Sequence, residues 1–89
     1  MKILIAADME GITGVVHWDQ VNVNHIAYSR FRKFMTADLN AAIRGAFAGG
    51  ATSVTVTDGH HDGRNIMIEE LDPRNPQAAA IRFWLAANP

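Results

Sequence analysis

The sequence predicts an α/β fold, a βαβ unit belonging to a parallel-sheet, three-layer architecture. Three observations carry that expectation. A continuous apolar run, Lys2 to Ala7, comes first; helical periodicity then holds from about Ala27 to Ala48; a β-branched run, Ser53 to Asp58, follows. Strand, long helix and strand in that order form a crossover that joins parallel strands, right-handed in nearly all cases.

The first strand, KILIAA, is apolar throughout rather than alternating, as in a parallel strand covered on both faces. It runs into Asp8-Met9-Glu10 and then GITG, where Gly11 and Gly14 let the backbone turn. Residues Val15 to His25, VVHWDQVNVNH, mix β-branched, aromatic and amide side chains and indicate no single state. The helix follows from Phe31, Phe34, Met35, Leu39, Ala42, Ile43, Ala46 and Phe47, which recur at three-and-four spacing on one face. Gly49-Gly50 supplies its left-handed cap. SVTVTD is the second strand and leads into GHHDGRN, another glycine-bearing loop. IMIEELDP reads as a short helix or strand ended by Pro73, and AAAIRFWLAANP as an apolar helix with Phe83 and Trp84 exposed unless something covers them. Two strands and one long helix are too few to bury both faces of a parallel sheet. The expectation is therefore an incomplete N-terminal portion of a larger fold, or a domain completed by partner chains.

Composition removes several function classes. With 48% apolar residues the 89-residue chain is not disordered by composition, and a net charge of −1 leaves no electrostatic footprint for nucleic acid or an anionic membrane. The absence of cysteine excludes disulfides, thiolate zinc sites and Cys nucleophiles. MKILIAAD stops at Asp8, too short for a secretory leader, and no segment approaches the roughly 20 apolar residues of a membrane span. A soluble, cytoplasmic protein is expected.

Parallel strands place their C-terminal ends on one edge of the sheet, where α/β proteins build their sites. Asp8 and Glu10 leave the first strand there; Asp58, His60, His61 and Asp62 leave the second. Neighbouring strands lie about 5 Å apart, so these groups are expected to converge. Carboxylate oxygens plus an imidazole nitrogen suit zinc or a similar divalent ion, and a dication offsets the cost of crowding two carboxylates. The plainer alternatives are a solvated histidine, an Asp58-Gly59 turn, and Asp8 as a helix cap. GITG lacks the spacing of a phosphate loop, and Ser29 and Ser53 suggest no nucleophile. A magnesium-dependent phosphotransfer domain built on Asp8 would want a second Asp where Glu10 stands.

Three stretches, AADMEGITGV, SRFRKFMTADLNAAIRGAFAGGA and VTDGHHDGRN, followed by EELDP, resemble the N-terminal third of the D-aminopeptidase family of zinc metallopeptidases. The resemblance implies a two-zinc centre that releases the N-terminal residue of short D-amino-acid peptides, in subunits assembled as homo-oligomeric rings. It matches Asp8 to the bridging aspartate, Glu10 to the first-site glutamate and His60 to the first-site histidine. His61 is the spare neighbour, expected to point away on extended backbone. No residue is matched to a catalytic role other than metal binding. His17 and His25 match no family ligand, and the family's further His and Glu come from sequence beyond residue 89. Residues 1–76 thus form the family-like portion and 77–89 a divergent tail. The competing expectation is a catalytically silent fragment with at most mononuclear metal binding.

Overall fold

Strands β1 (Lys2–Ala7) and β2 (Ser53–Asp58) pair in parallel, joined by the 21-residue helix α1 (Tyr28–Ala48). The structure, a computed structural model, describes residues 1–72, 75 and 78–84, with backbone only at 78 and 84. The register runs from Lys2 opposite Ser53 to Ala7 opposite Asp58, so both strands end level with each other. Asp8 and Gly59 therefore start from the same edge, and the Gly59 amide donates to the Ala7 carbonyl at 2.7 Å.

The core is the seam between α1 and one face of this sheet. Phe31, Met35, Leu39 and Ile43 line the buried stripe of α1, and Val54 and Val56 meet them from β2. Ile3, Ile5 and Ala7 pack against the same cluster from β1. The alternate β1 positions Lys2, Leu4 and Ala6 are exposed, Leu4 to 57%. The apolar run of β1 is thus covered on one side by the described residues, and its period-two burial follows from that.

At the end of α1 the left-handed residue is Gly50 (φ 105°), one past the cap at Gly49. The Ala51 amide donates to the Ala46 carbonyl and the Gly50 amide to that of Phe47, at 3.0 Å each, the paired bonds of a Schellman motif. Segment 15–25 is a series of turns around a 3-10 turn at Trp18–Val21, and a second 3-10 turn, Ile68–Glu70, occupies the stretch expected as a short helix or strand. Pro73, expected to end it, lies outside the described residues.

The apolar tail is the main correction. Instead of a helix, Ala78–Ala80 form a 3-10 turn and Ile81–Trp84 a third strand, β3, parallel to β2. The strand order is β1-β2-β3. Without β3, the outer amides and carbonyls of β2 would lack ladder partners, and a helical tail has none to offer. Ile81 and Phe83 stand opposite Val54 and Val56 and so extend the helix-side face. Residues 85–89 lie outside the described residues.

Candidate metal centre

The site grows from the level ends of β1 and β2. Asp8 is the first residue past β1, and its Oδ1 accepts the Met9 amide at 2.8 Å, which fixes the carboxylate as the chain turns. Met9 is completely buried and anchors that turn in the core, leaving Asp8 and Glu10 on the outside to either side. The Thr13 amide and hydroxyl both donate to the Asp38 carboxylate, at 2.8 and 2.9 Å, and tie the glycine loop to α1.

From β2 comes His60, 8% exposed. Its Nε2 faces the Val21 carbonyl at 2.7 Å, and its Nδ1 lies 3.1 Å from Asp8 Oδ1 and 3.4 Å from Glu10 Oε1. A carbonyl can only accept, so Nε2 carries a proton and donates to Val21. In the neutral imidazole Nδ1 then presents a lone pair to two carboxylate oxygens. Three acceptors facing one another repel unless a cation, or a second imidazole proton, lies among them.

One donor atom from each of Asp8, Glu10 and His60 falls within 4.8 Å of the others, and no other such trio of acidic or imidazole side chains occurs among the described residues. Zinc holds N and O donors at about 2.0–2.2 Å in a tetrahedron, which sets donors roughly 3.3–3.5 Å apart. The 3.4 Å separation falls in that range and the 3.1 Å separation lies just below it. The Val21 carbonyl supplies the outer hydrogen bond that usually orients a ligating histidine. Partial burial works to raise the Asp8 carboxyl, but the Met9 amide, hydrogen bonding with Glu10 and the His60 imidazole outweigh it and hold it below its ordinary value. The residues present therefore suit a divalent cation with one oxygen-rich side and one imidazole.

The other acids and the second histidine of the loop do different work. Asp58, 7% exposed, turns inward: its Oδ2 accepts the amides of Asn65 (2.7 Å) and Ile66 (2.8 Å), and its Oδ1 the Asn65 side-chain amide (2.9 Å) and the His60 amide (3.3 Å). It does not join Asp8, because four donors of its own loop already fill both oxygens. Asp62 turns to Arg64, whose guanidinium donates at 2.7 and 3.0 Å and holds the carboxyl below its ordinary value. His61 is not on extended backbone. Its φ of 50° swings it into the wall of the cleft that also contains Asp8, Glu10 and His60. His17 and His25 flank Asp19 Oδ2 at 3.4 and 3.5 Å, well exposed.

Side-chain reading of the sequence had no means of finding the Val21 carbonyl. Nor did it find Asn65, completely buried, whose side chain donates to Asp58 and to the His60 carbonyl and accepts the Tyr28 hydroxyl. The one available signal was an amide residue seven positions after an Asp-Gly turn.

Comparison with known proteins agrees with this architecture. The D-aminopeptidase family profile matches residues 1–82, running past Pro76 into β3. A D-aminopeptidase of Bacillus subtilis (strain 168) is 40% identical over 73 residues, covering 82% of this chain and 27% of that protein. The solved structure of the Zn-dependent D-aminopeptidase DppA from Bacillus subtilis, a self-compartmentalizing protease, superposes with a TM-score of 0.83 at 34% identity, over 97% of this chain and 29% of that one. The chain thus spans a little over a quarter of the length of either relative. With a profile match along nearly its whole length, the chain belongs to the D-aminopeptidase family.

Proposed function

We propose that Asp8, Glu10 and His60 hold a zinc ion and that this chain serves hydrolysis of the N-terminal residue from short D-amino-acid peptides. The carrying observation is the trio of donor atoms within 4.8 Å, with His60 oriented from behind by Val21. Bound zinc would supply Lewis acidity to a peptide carbonyl and an activated water near neutral pH. The chain's own residues do the positioning. Val21 fixes the tautomer of His60, Met9 holds the Asp8 carboxylate in place, and the Asp58–Asn65 pair sets the loop on which His60 stands. Assembly of several copies, as the self-compartmentalizing relative does, belongs to the same reading.

The test is metal content after loading with zinc and desalting. Wild type is expected to retain zinc, and Asp8→Ala and His60→Ala to lose it; equal zinc in all three would defeat the assignment. A second reading is favoured by the single donor trio among the described residues: the chain binds one metal and has no turnover alone. Release of D-alanine from D-Ala-D-Ala by the zinc-loaded 89-residue chain would refute that second reading.

A further inference from the structure

We infer that the cleft between Glu10 and the Trp18–Val21 turn is an apolar subsite for the side chain of a peptide's N-terminal residue. The inference rests on the metallo-aminopeptidase reading above. The cleft has a volume of about 380 Å³, within the range of roughly 300–1,000 Å³ typical of small-ligand sites. Val15, Val16, Trp18 and Val21 give it its apolar wall, and Glu10 and His17 its polar end.

Two of these residues are exposed to a degree that needs a reason. Val16 is 90% exposed and Trp18 76% exposed, two residues apart in sequence, where the chain enters the turn next to the metal centre. Isolated exposed apolar residues are ordinary, but a cluster rimmed by polar groups marks a binding surface. Contiguity decides what it binds. Glu10, Trp18 and Val21 also line the neighbouring cleft that contains Asp8 and His60, so an apolar group seated against Trp18 belongs to a molecule that reaches the metal centre.

The wall is also held in place. The Gln20 side chain accepts the amides of Val16 (2.6 Å) and His17 (2.7 Å) and donates to the Gly14 carbonyl at 3.0 Å. His17 Nδ1 accepts the Asp19 amide at 3.1 Å and completes a capping box on the turn. Trp18 therefore stands on a braced turn, which lowers the ordering cost of binding.

The experiment is an NMR titration of zinc-loaded protein with D-leucine amide and with glycine amide, following the Trp18 indole and the Val15 and Val16 amides. D-leucine amide is expected to bind about tenfold or more tightly, the discrimination a hydrophobic pocket provides, with shifts centred on Trp18. Trp18→Ala and Val16→Asp are each expected to bring the two affinities together while zinc content stays at the wild-type level. Val16 is so exposed that its substitution leaves folding intact, which keeps the test decisive if Trp18→Ala perturbs the turn. Equal affinities in wild type, or an undiminished preference in Val16→Asp, would overturn the subsite. Loss of zinc from wild type would instead defeat the metal reading, and the cleft is then judged by the same preference measured in metal-free protein.

Discussion

Asp58→Asn is the sharpest test of how the loop carrying His60 is built. The substitution preserves shape and exchanges one carboxylate oxygen for an NH₂ group. Both oxygens of Asp58 accept two donors, from the Asn65 and Ile66 amides on one side and from the Asn65 side chain and the His60 amide on the other. Whichever way the new amide is turned, its NH₂ opposes two N–H donors at 2.7–3.3 Å. Two hydrogen bonds to a charged acceptor are lost, each contributing about 1.5–3 kcal/mol, so the expected destabilisation is roughly 3–6 kcal/mol. That is a large part of the 5–15 kcal/mol that typically stabilises a domain. Urea unfolding followed by far-ultraviolet circular dichroism measures it. A shift below about 1 kcal/mol would mean that water, not Asp58, satisfies these amides, and the account of the loop would fail.

Three further outcomes are expected. Gly14→Ala puts a Cβ 3.2 Å from Phe31 Cε1 at a φ of 84° and is expected to cost about 1–3 kcal/mol. Gly45→Ala, with nothing within 4 Å of the added Cβ, is expected to stabilise α1 by about 0.5–1 kcal/mol; urea midpoints that fail to move in opposite directions would refute this pairing. Tyr28 is the only tyrosine, and burial raises its hydroxyl above the ordinary value of 10.0. Its contribution to stability is therefore complete below pH 10 and is lost as pH rises through the folded-state value. Tyrosinate absorbance in the folded protein should lag behind that in urea, and Tyr28→Phe should remove the matching alkaline loss of stability; coincident titrations would contradict the burial of this hydroxyl. Gln20→Ala removes three bonds around the Trp18 turn and is expected to cost about 1–3 kcal/mol, read as faster amide exchange at Val16 and His17 than at α1.

What the sequence disclosed followed from periodicity and topology. KILIAA, SVTVTD and the Phe31, Met35, Leu39, Ile43 stripe each point to one element, and the crossover rule then sets both strand ends on one edge. That alone was enough to bring His60 to Asp8 and Glu10 across 50 residues of chain. The tail was misread because AAAIRFW joins a good helix-forming run to four residues that suit either state, and its fate is decided by the open edge of β2, a feature of the sheet rather than of the segment. Leu4 is largely exposed, because the described residues supply a layer for only one of the two faces that the continuous apolar run of β1 calls for.

Asp58 and Asp8 show where residue chemistry stops being informative. Both are aspartates at the end of a parallel strand, and they stand at adjacent positions of the register, Asp58 level with Ala7. The in-out alternation of the strands separates them. Asp58 falls on the helix side with Val54 and Val56, where a bare carboxylate would be costly, so the following loop folds around it and saturates it with amides. Asp8 lies one residue beyond the corresponding inward position, on the outer side, where the chain offers it one amide and an imidazole. The inward aspartate builds the platform that carries His60, and the outward one keeps free oxygen valence toward the cleft. A shift of one residue in the register of β1 against β2 would turn Asp8 inward, level with Asp58, so the register of the parallel pair itself decides that Asp8 is available to a cation.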